Sequence, residues 1–596
     1  MSHKIAGSKE LKMHAKHQND RSDYGTARMR AHFARWGALF LAAIRSLAVL
    51  RFLAALGLAC GWSHADGEEL AQKRGRPNVV VIITDDQGYG DVGVHGNDKI
   101  RTPNLDRFSR EGLEMSRFYC SPVCAPTRAS LMTGRYYYRS GIIHTSRGGA
   151  KMHGEEVTLA EILSAAGYRT GIFGKWHLGD NYPMRPQDQG FQESLVHKSG
   201  GITQTPDTES HYDNPRLWKN GKAIQAEGYC TDIFFNAAGE FIDSHRDEPF
   251  FAYIAANAPH TPLEIADSYV APYKAMGLDD TTAAVYGMVQ NIDENFGRLM
   301  ARLDDLGVRD NTLVIFLTDN GPQQPRYTAG LRGRKTMTYE GGIRVPFFVQ
   351  WPAQLKGGRK VDRISAHIDI TPTLVALCAP GASGLPEFDG RNVWPLWSGN
   401  EGDWPDRMLF FQCHRGLEPK RYQNCAVVTD RWKMVGYPEK FNVDNLDTSG
   451  TPDLQLYDME TDWQEQHDLA EKRPNVLVRL RAAYDKWFDD VESTRQFEPG
   501  VIHLGNDAEN PSLLCFNQDG TFQGKNFLGW SVAVERAGRY RIAPVDASAK
   551  LDKIRFDEQE IALKPSDGAM IAVLPKGEGM LEIPVAGDVN IEYLGP

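Results

Sequence analysis

Residues Asn78–Thr84 read NVVVIIT and run straight into Asp85-Asp86, and residues Thr312–Thr318 read TLVIFLT and run into Asp319-Asn320. Both are short, uninterrupted apolar runs, the pattern of a strand buried on both faces. Similar runs occur at Tyr168–Phe173, Pro249–Ala255 (PFFAYIA) and Val345–Gln350 (VPFFVQ). Before the Thr312 run, Met288, Val289, Ile292, Phe296, Leu299, Met300 and Leu303 form one helical stripe, with Gly307 where a C-terminal cap belongs. That stripe is core. The alternation predicts an α/β domain over residues 76–400, a large mixed, mostly parallel sheet flanked by helices.

Polar residues cluster just past the strand ends: Asp85-Asp86, Lys175-Trp176-His177, His260 and Asp319-Asn320. In an open α/β sheet, ligands bind in the crevice beyond the carboxyl ends of the strands. One Asp after a strand is ordinarily a turn residue. Two such ends in matching context, IITDDQGYGD and FLTDNG, argue instead for a cation site. Asp85, Asp86, Asp319 and Asn320 form an all-oxygen set, which selects Ca²⁺ or Mg²⁺.

A second motif reads Cys124-Ala125-Pro126-Thr127-Arg128, continuing through Leu131-Met132-Thr133-Gly134-Arg135. Pro126 suits a first helical turn and Gly134 a stop, so Cys124 is expected at a helix N-terminus. Free backbone N–H groups there favour an anion, and Arg128 lies one turn on.

The rest of the chain bounds the function. At 596 residues it exceeds one ordinary core. A net charge of −10 gives no hint of nucleic-acid binding, which wants a basic face. Residues 1–65 carry Arg28, Arg30, Arg35, Arg45 and Arg51 around apolar runs, then the small-residue stretch Ser63-His64-Ala65. This reads as a signal peptide, preferred over a membrane anchor because arginines within the apolar stretch are costly in a bilayer. Export to the periplasm or medium, with no stable membrane insertion after cleavage, is expected. Residues 401–495 predict a smaller α+β unit, with strands at Met408–Gln412, Cys425–Thr429 and Trp432–Val435 and a helix from Pro474 to Val491. Residues 496–596 alternate short strands (Ser531–Glu535, Tyr540–Pro544, Ile561–Leu563, Met570–Leu574) with turns, a β-sandwich-like accessory domain assigned to structural packing. Cys413 and Cys425 are the nearest pair for a disulfide; buried free thiols are the alternative.

Together RPNVVVIITDDQGYGD, TPNLDRFSREG, CAPTRASLMTGR, GYRTGIFGKWHLG, APHTP, TLVIFLTDNGP, LRGRKTMTYEGGIRVP and LYDMETD resemble the type I sulfatases of the alkaline phosphatase superfamily. The resemblance spans about residues 77–491. It implies an alkaline phosphatase-like fold and hydrolysis of sulfate monoesters, on sulfated small molecules or glycans. It implies that a separate maturation enzyme oxidises Cys124 to formylglycine, whose hydrate is the nucleophile. It implies one Ca²⁺, held by Asp85, Asp86, Asp319, Asn320 and the modified Cys124. Arg128, Lys175, His177, His260 and Lys335 then complete the sulfate pocket, with His260, assisted by Lys335, as acid and His177 as base. Ala125, Thr127 and Arg334 depart from the usual family residues, and none removes a reacting group. The alternatives are a phosphate or phosphonate ester hydrolase of the same superfamily and a non-catalytic sulfated-glycan-binding homologue. His95, His144, Arg147, His153, His211, Arg326 and Tyr327 are read as surface loop residues.

Overall fold

The computed structural model describes residues 76–402, 404–414, 418–437, 453–523 and 526–596. The expected signal peptide, residues 1–65, lies outside them. Five strands of a ten-stranded sheet decide the architecture: β1 (Asn78–Thr84), β2 (Arg169–Lys175), β3 (Phe250–Ala255), β4 (Thr312–Thr318) and β5 (Phe347–Gln350). β4, β1, β3 and β2 lie side by side and parallel, and β5 joins β4 antiparallel. Short strands complete both edges, most of them antiparallel, so the sheet is mixed.

Every residue of β1 and β4 is buried. Val79, Val81 and Ile83 enter one core while Val80 and Ile82 enter another, because strand side chains alternate. The second core is closed by Met288, Ile292, Phe296, Leu299, Met300 and Leu303 of a helix that spans Asp280–Asp305, while Val289 of the expected stripe packs in a separate cluster with Tyr273 and Tyr286. Sheet and helix therefore satisfy each other's apolar faces, as layered packing requires.

The strand expected over Tyr168–Phe173 runs on to Lys175, carried by pairing with β3 and with Glu193–His197. Gly174 permits this extension. Its φ is 121°, and a Cβ there would lie 1.9 Å from the carbonyl oxygen of Ala255.

Four antiparallel strands, Leu409–Gln412, Cys425–Val428, Trp432–Gly436 and Leu454–Asp458, form a second sheet, followed by a helix over Pro474–Arg495. Lys433 joins this sheet to the main body: its Nζ lies 3.0 Å from Glu340 and 2.8 Å from Glu465, all three wholly buried. Beyond residue 500 two β-sheets enclose a core of Trp530, Val532, Val534, Tyr540, Ile542, Leu574 and Ile591, which also takes in Met184. Here the expected strand Ile561–Leu563 is displaced to Gln559–Ile561. A two-residue turn at Asp557-Glu558, both with positive φ, sets the hairpin register instead.

The seven described cysteines are all buried and free, so Cys413 and Cys425 are not bridged. Among the described residues no helix is long and apolar enough to cross a membrane.

Candidate active site

Cys124 is the first residue of a ten-residue helix, α1 (Cys124–Thr133), every residue of which is buried. Val123 before it is extended, and Gly134 ends the helix with φ 68°, its N–H donating to Ser130. Thr127 Oγ1 donates to the Asp319 carbonyl at 2.7 Å, so α1 is tied to the end of β4. Gly321 lets the chain after Asn320 press against Gly341-Gly342, where a Cβ would meet backbone at 1.9 Å.

Each strand end delivers a charged group, and the charges interlock. Lys175 Nζ donates to Asp85 Oδ2 at 2.6 Å. Arg128 donates through Nη2 to Asp319 Oδ2 at 2.8 Å and through Nη1 to the Lys175 carbonyl at 3.0 Å. Lys335 lies 2.6 Å from Asp86 Oδ1, and Asn320 Nδ2 donates to that same oxygen at 2.7 Å. His260 Nε2 stands 3.9 Å from Asp86 Oδ2. Asp86 and His177 hold φ values of 63° and 61°, a left-handed conformation uncommon for residues other than glycine.

Two oxygens are left over. Asp85 Oδ1 and Asn320 Oδ1 are buried without a hydrogen-bond partner. An orphaned buried acceptor is costly, and a cation offsets that cost. Ligand atoms of Asp85, Cys124 and Asp319 lie within 4.8 Å of one another, as do those of Asp85, Asp86 and His260. Among the protein groups alone, burial and the neighbouring Asp85 push Asp319 up to about 6. Burial also pushes Asp86 up, but Lys335 and His260 outweigh it and hold the carboxyl well below its usual range. This donor set, three carboxylates and an amide oxygen, fits a hard divalent cation.

Cys124 faces an imidazole ring. Cys124 Sγ lies 3.4 Å from His177 Nδ1, while His177 Nε2 lies 2.8 Å from the Thr145 carbonyl. A carbonyl only accepts, so Nε2 carries the proton and Nδ1 presents its lone pair to Cys124. Burial, reinforced by Lys175, holds His177 well below the ordinary histidine range, which keeps it neutral. Burial raises the Cys124 thiol despite Lys175 and Lys335.

Cys124, His177, His260 and Lys335 line one cavity of about 760 Å³. Arg128, Lys175, Asp85, Asp86, Asp319 and Asn320 are buried beside it and do not line it. A second cavity of about 730 Å³, between Arg76, Glu161 and Cys378, contains none of these residues.

Residues 77–379 match the family model Sulfatase, and residues 333–483 match the model N-sulphoglucosamine sulphohydrolase, C-terminal. The chain belongs to the sulfatase family. It is therefore a sulfuric ester hydrolase with an alkaline phosphatase-like fold. This sulfatase is 34% identical to human arylsulfatase A over 373 residues, 56% of this chain and 70% of that one. It is 30% identical to human N-acetylgalactosamine-6-sulfatase over 365 residues, 56% and 68% of the two chains. A solved structure described as Ps i-CgsB in complex with k-i-k-neocarrahexaose is 29% identical, with a TM-score of 0.61, covering 69% of this chain and 92% of that one.

Several residues read as surface loops in the sulfatase are structural instead. Arg326 is buried in an ion pair with Asp91 and donates to the Asp86 carbonyl at 2.7 Å, steadying the loop after β1. His95 stacks on Tyr89 and contacts Glu114, and His144 is buried. His153 is half-buried against the Glu498 carbonyl. Arg147, His211 and Tyr327 are exposed, and none of the seven lines the cavity. Thr145, Gln204, Gln323, Asn517 and Gln518 do line it and carried no sequence signal. They come from four regions of the chain, three of them loops and the fourth the short helix Phe516–Asp519.

Proposed function

We propose that this sulfatase cleaves sulfate monoesters of carbohydrates, using a formylglycine formed from Cys124 and one Ca²⁺ held by Asp85, Asp86, Asp319, Asn320 and the modified Cys124. The convergence of Cys124, His177, His260 and Lys335 on one cavity, beside the orphaned oxygens of Asp85 and Asn320, carries this reading. The cavity wall is mainly hydroxyl and amide side chains, including Thr145, Ser146, Thr203, Gln204 and Gln323, with no Phe, Tyr or Trp among the described residues. That lining suits a polyhydroxylated alcohol better than an aryl group.

A sulfate ester repels nucleophiles through its own oxygens, so the site must first offset that charge. Ca²⁺ and the hydrated aldehyde supply, respectively, fixed positive charge and paired hydroxyls, one to attack sulfur and one to release it. Lys335, whose charge Asp86 maintains against burial, faces the ester oxygens from the cavity wall. Arg128 and Lys175 add buried positive charge beside Cys124. His177 Nδ1 accepts the proton from the nucleophile position, its tautomer held by Thr145. His260 Nδ1 is bonded to the Thr261 carbonyl at 2.6 Å, which leaves Nε2 as the atom that protonates the departing alcohol. Burial and Lys335 push His260 down to about 3 in the free protein, so acting as acid requires the bound anionic ester to raise it.

The reading includes export and a separate maturation enzyme as partner. Peptide mass spectrometry tests it, on protein made in a host that matures sulfatases. An aldehyde at Cys124 is expected, and an unmodified thiol overturns the mechanism. Comparative rates on aryl sulfate and aryl phosphate esters test the class of ester.

A further inference from the structure

The family matches end at residue 483, yet the β-domain beyond residue 500 reaches the catalytic cavity. Its short helix Phe516–Asp519 brings Asn517 and Gln518 to the cavity wall. Gln518 is only 4% exposed, and that small exposure is toward the cavity it lines. An amide on a cavity wall offers both its N–H groups and its carbonyl oxygen to a bound ligand.

The backbone around it is held firmly. Arg147 N–H donates to the Asn517 carbonyl and Gly148 N–H to the Gln518 carbonyl, both at 2.8 Å. Lys151 Nζ donates to the Asp519 carbonyl at 3.2 Å. Cys515 N–H donates to Asp519 Oδ2 at 3.0 Å, which closes the turn. Arg147 and Gly148 follow Thr145, whose carbonyl receives the His177 proton. The turn thus presents Gln518 to the same cavity as the reacting groups, while its backbone is spent on the loop beneath.

We propose that Gln518, with Asn517, is a specificity residue supplied by the accessory β-domain, binding a hydroxyl group of the sugar that leaves. A primary amide donates and accepts at once, which matches a hydroxyl and wins nothing from an unsubstituted aryl group. This inference rests on the carbohydrate sulfatase reading above.

The test compares wild type with Gln518→Ala and the conservative Gln518→Asn, on 4-nitrophenyl sulfate and on a panel of sulfated mono- and oligosaccharides. In Gln518→Ala, kcat/KM on the best saccharide should fall about tenfold or more, and that on the aryl ester less than about threefold. The saccharide loss should lie mainly in KM, with partial rescue by Gln518→Asn. Equal losses on both substrates, with a lowered thermal midpoint, mean a structural role and overturn the proposal, as does no loss on the saccharide. Wild-type turnover of the aryl ester without turnover of any saccharide overturns this inference and leaves the sulfatase chemistry standing. Absence of all wild-type turnover overturns both.

Discussion

Two clusters of buried charge in this sulfatase look alike and differ in what surrounds them. At the strand ends, Lys175 pairs with Asp85, Arg128 with Asp319 and Lys335 with Asp86. Away from them, Lys433 holds Glu340 and Glu465 between the main body and the second sheet. Both sets are withdrawn from water. The first stands beside the cavity lined by Cys124, His177, His260 and Lys335, at a cysteine that begins a helix, whereas left-handed backbone occurs in both, at Asp86 and His177 in the first and at Glu465 in the second. Buried charge alone therefore marks no active site. A cavity wall that gathers a thiol, two imidazoles and an ammonium beside that charge does.

The sharpest break in the comparison is Cys124→Ala. Turnover of an aryl sulfate should drop by about a thousandfold or more, with the thermal midpoint nearly unchanged. Lys433→Met should do the opposite. It strands two buried carboxylates, at a cost of about 3–5 kcal/mol in denaturant unfolding, while turnover per folded molecule persists. Lys175→Met joins the two cases. It should lose turnover and also stability, and the stability should return with added Ca²⁺, by about 2.7 kcal/mol at a hundredfold excess over Kd. Ca²⁺ should give Lys433→Met no more than it gives wild type.

Much of this contrast was legible in the sequence, but only on one side. Asp85, Asp86, Asp319 and Asn320 end apolar runs, so the strand period itself delivers them to one edge. Glu340, Lys433 and Glu465 sit in no such frame, and their meeting depends on how the second sheet docks. The same holds for Arg326, whose partner Asp91 lies 235 residues away.

A pH titration separates the clusters more finely. Burial pushes Glu465 up to about 7, with Glu340 adding to the shift and Lys433 opposing it. Burial pushes Glu340 up as well, but Lys433 and Arg344 outweigh it and keep that carboxyl below its usual range. Between the ordinary glutamate value and 7 the folded protein holds a proton that the unfolded chain has released. Unfolding free energy should therefore fall as pH rises through that window and level off above it. Glu465→Gln should flatten this slope, by an amount on the order of 1–3 kcal/mol, read from urea unfolding at pH 5 and pH 7.5. The smallest effect belongs to the exposed Arg536–Asp507 pair of the β-domain. Arg536→Ala should leave the thermal midpoint unchanged within error, because water screens such pairs.

The sequence by itself determined the central strands, the core helix and the helix that begins at Cys124. Apolar periodicity and cap residues act over a few neighbours and are written locally. It also determined which residues stand at the strand ends. Tertiary structure alone decided which nitrogen of His177 faces Cys124, because that depends on the Thr145 carbonyl 32 residues away. It alone decided that a domain assigned to packing brings Gln518 to the cavity that Cys124, His177, His260 and Lys335 line. Contacts between distant segments follow from how whole layers pack, and no short stretch of sequence carries that information.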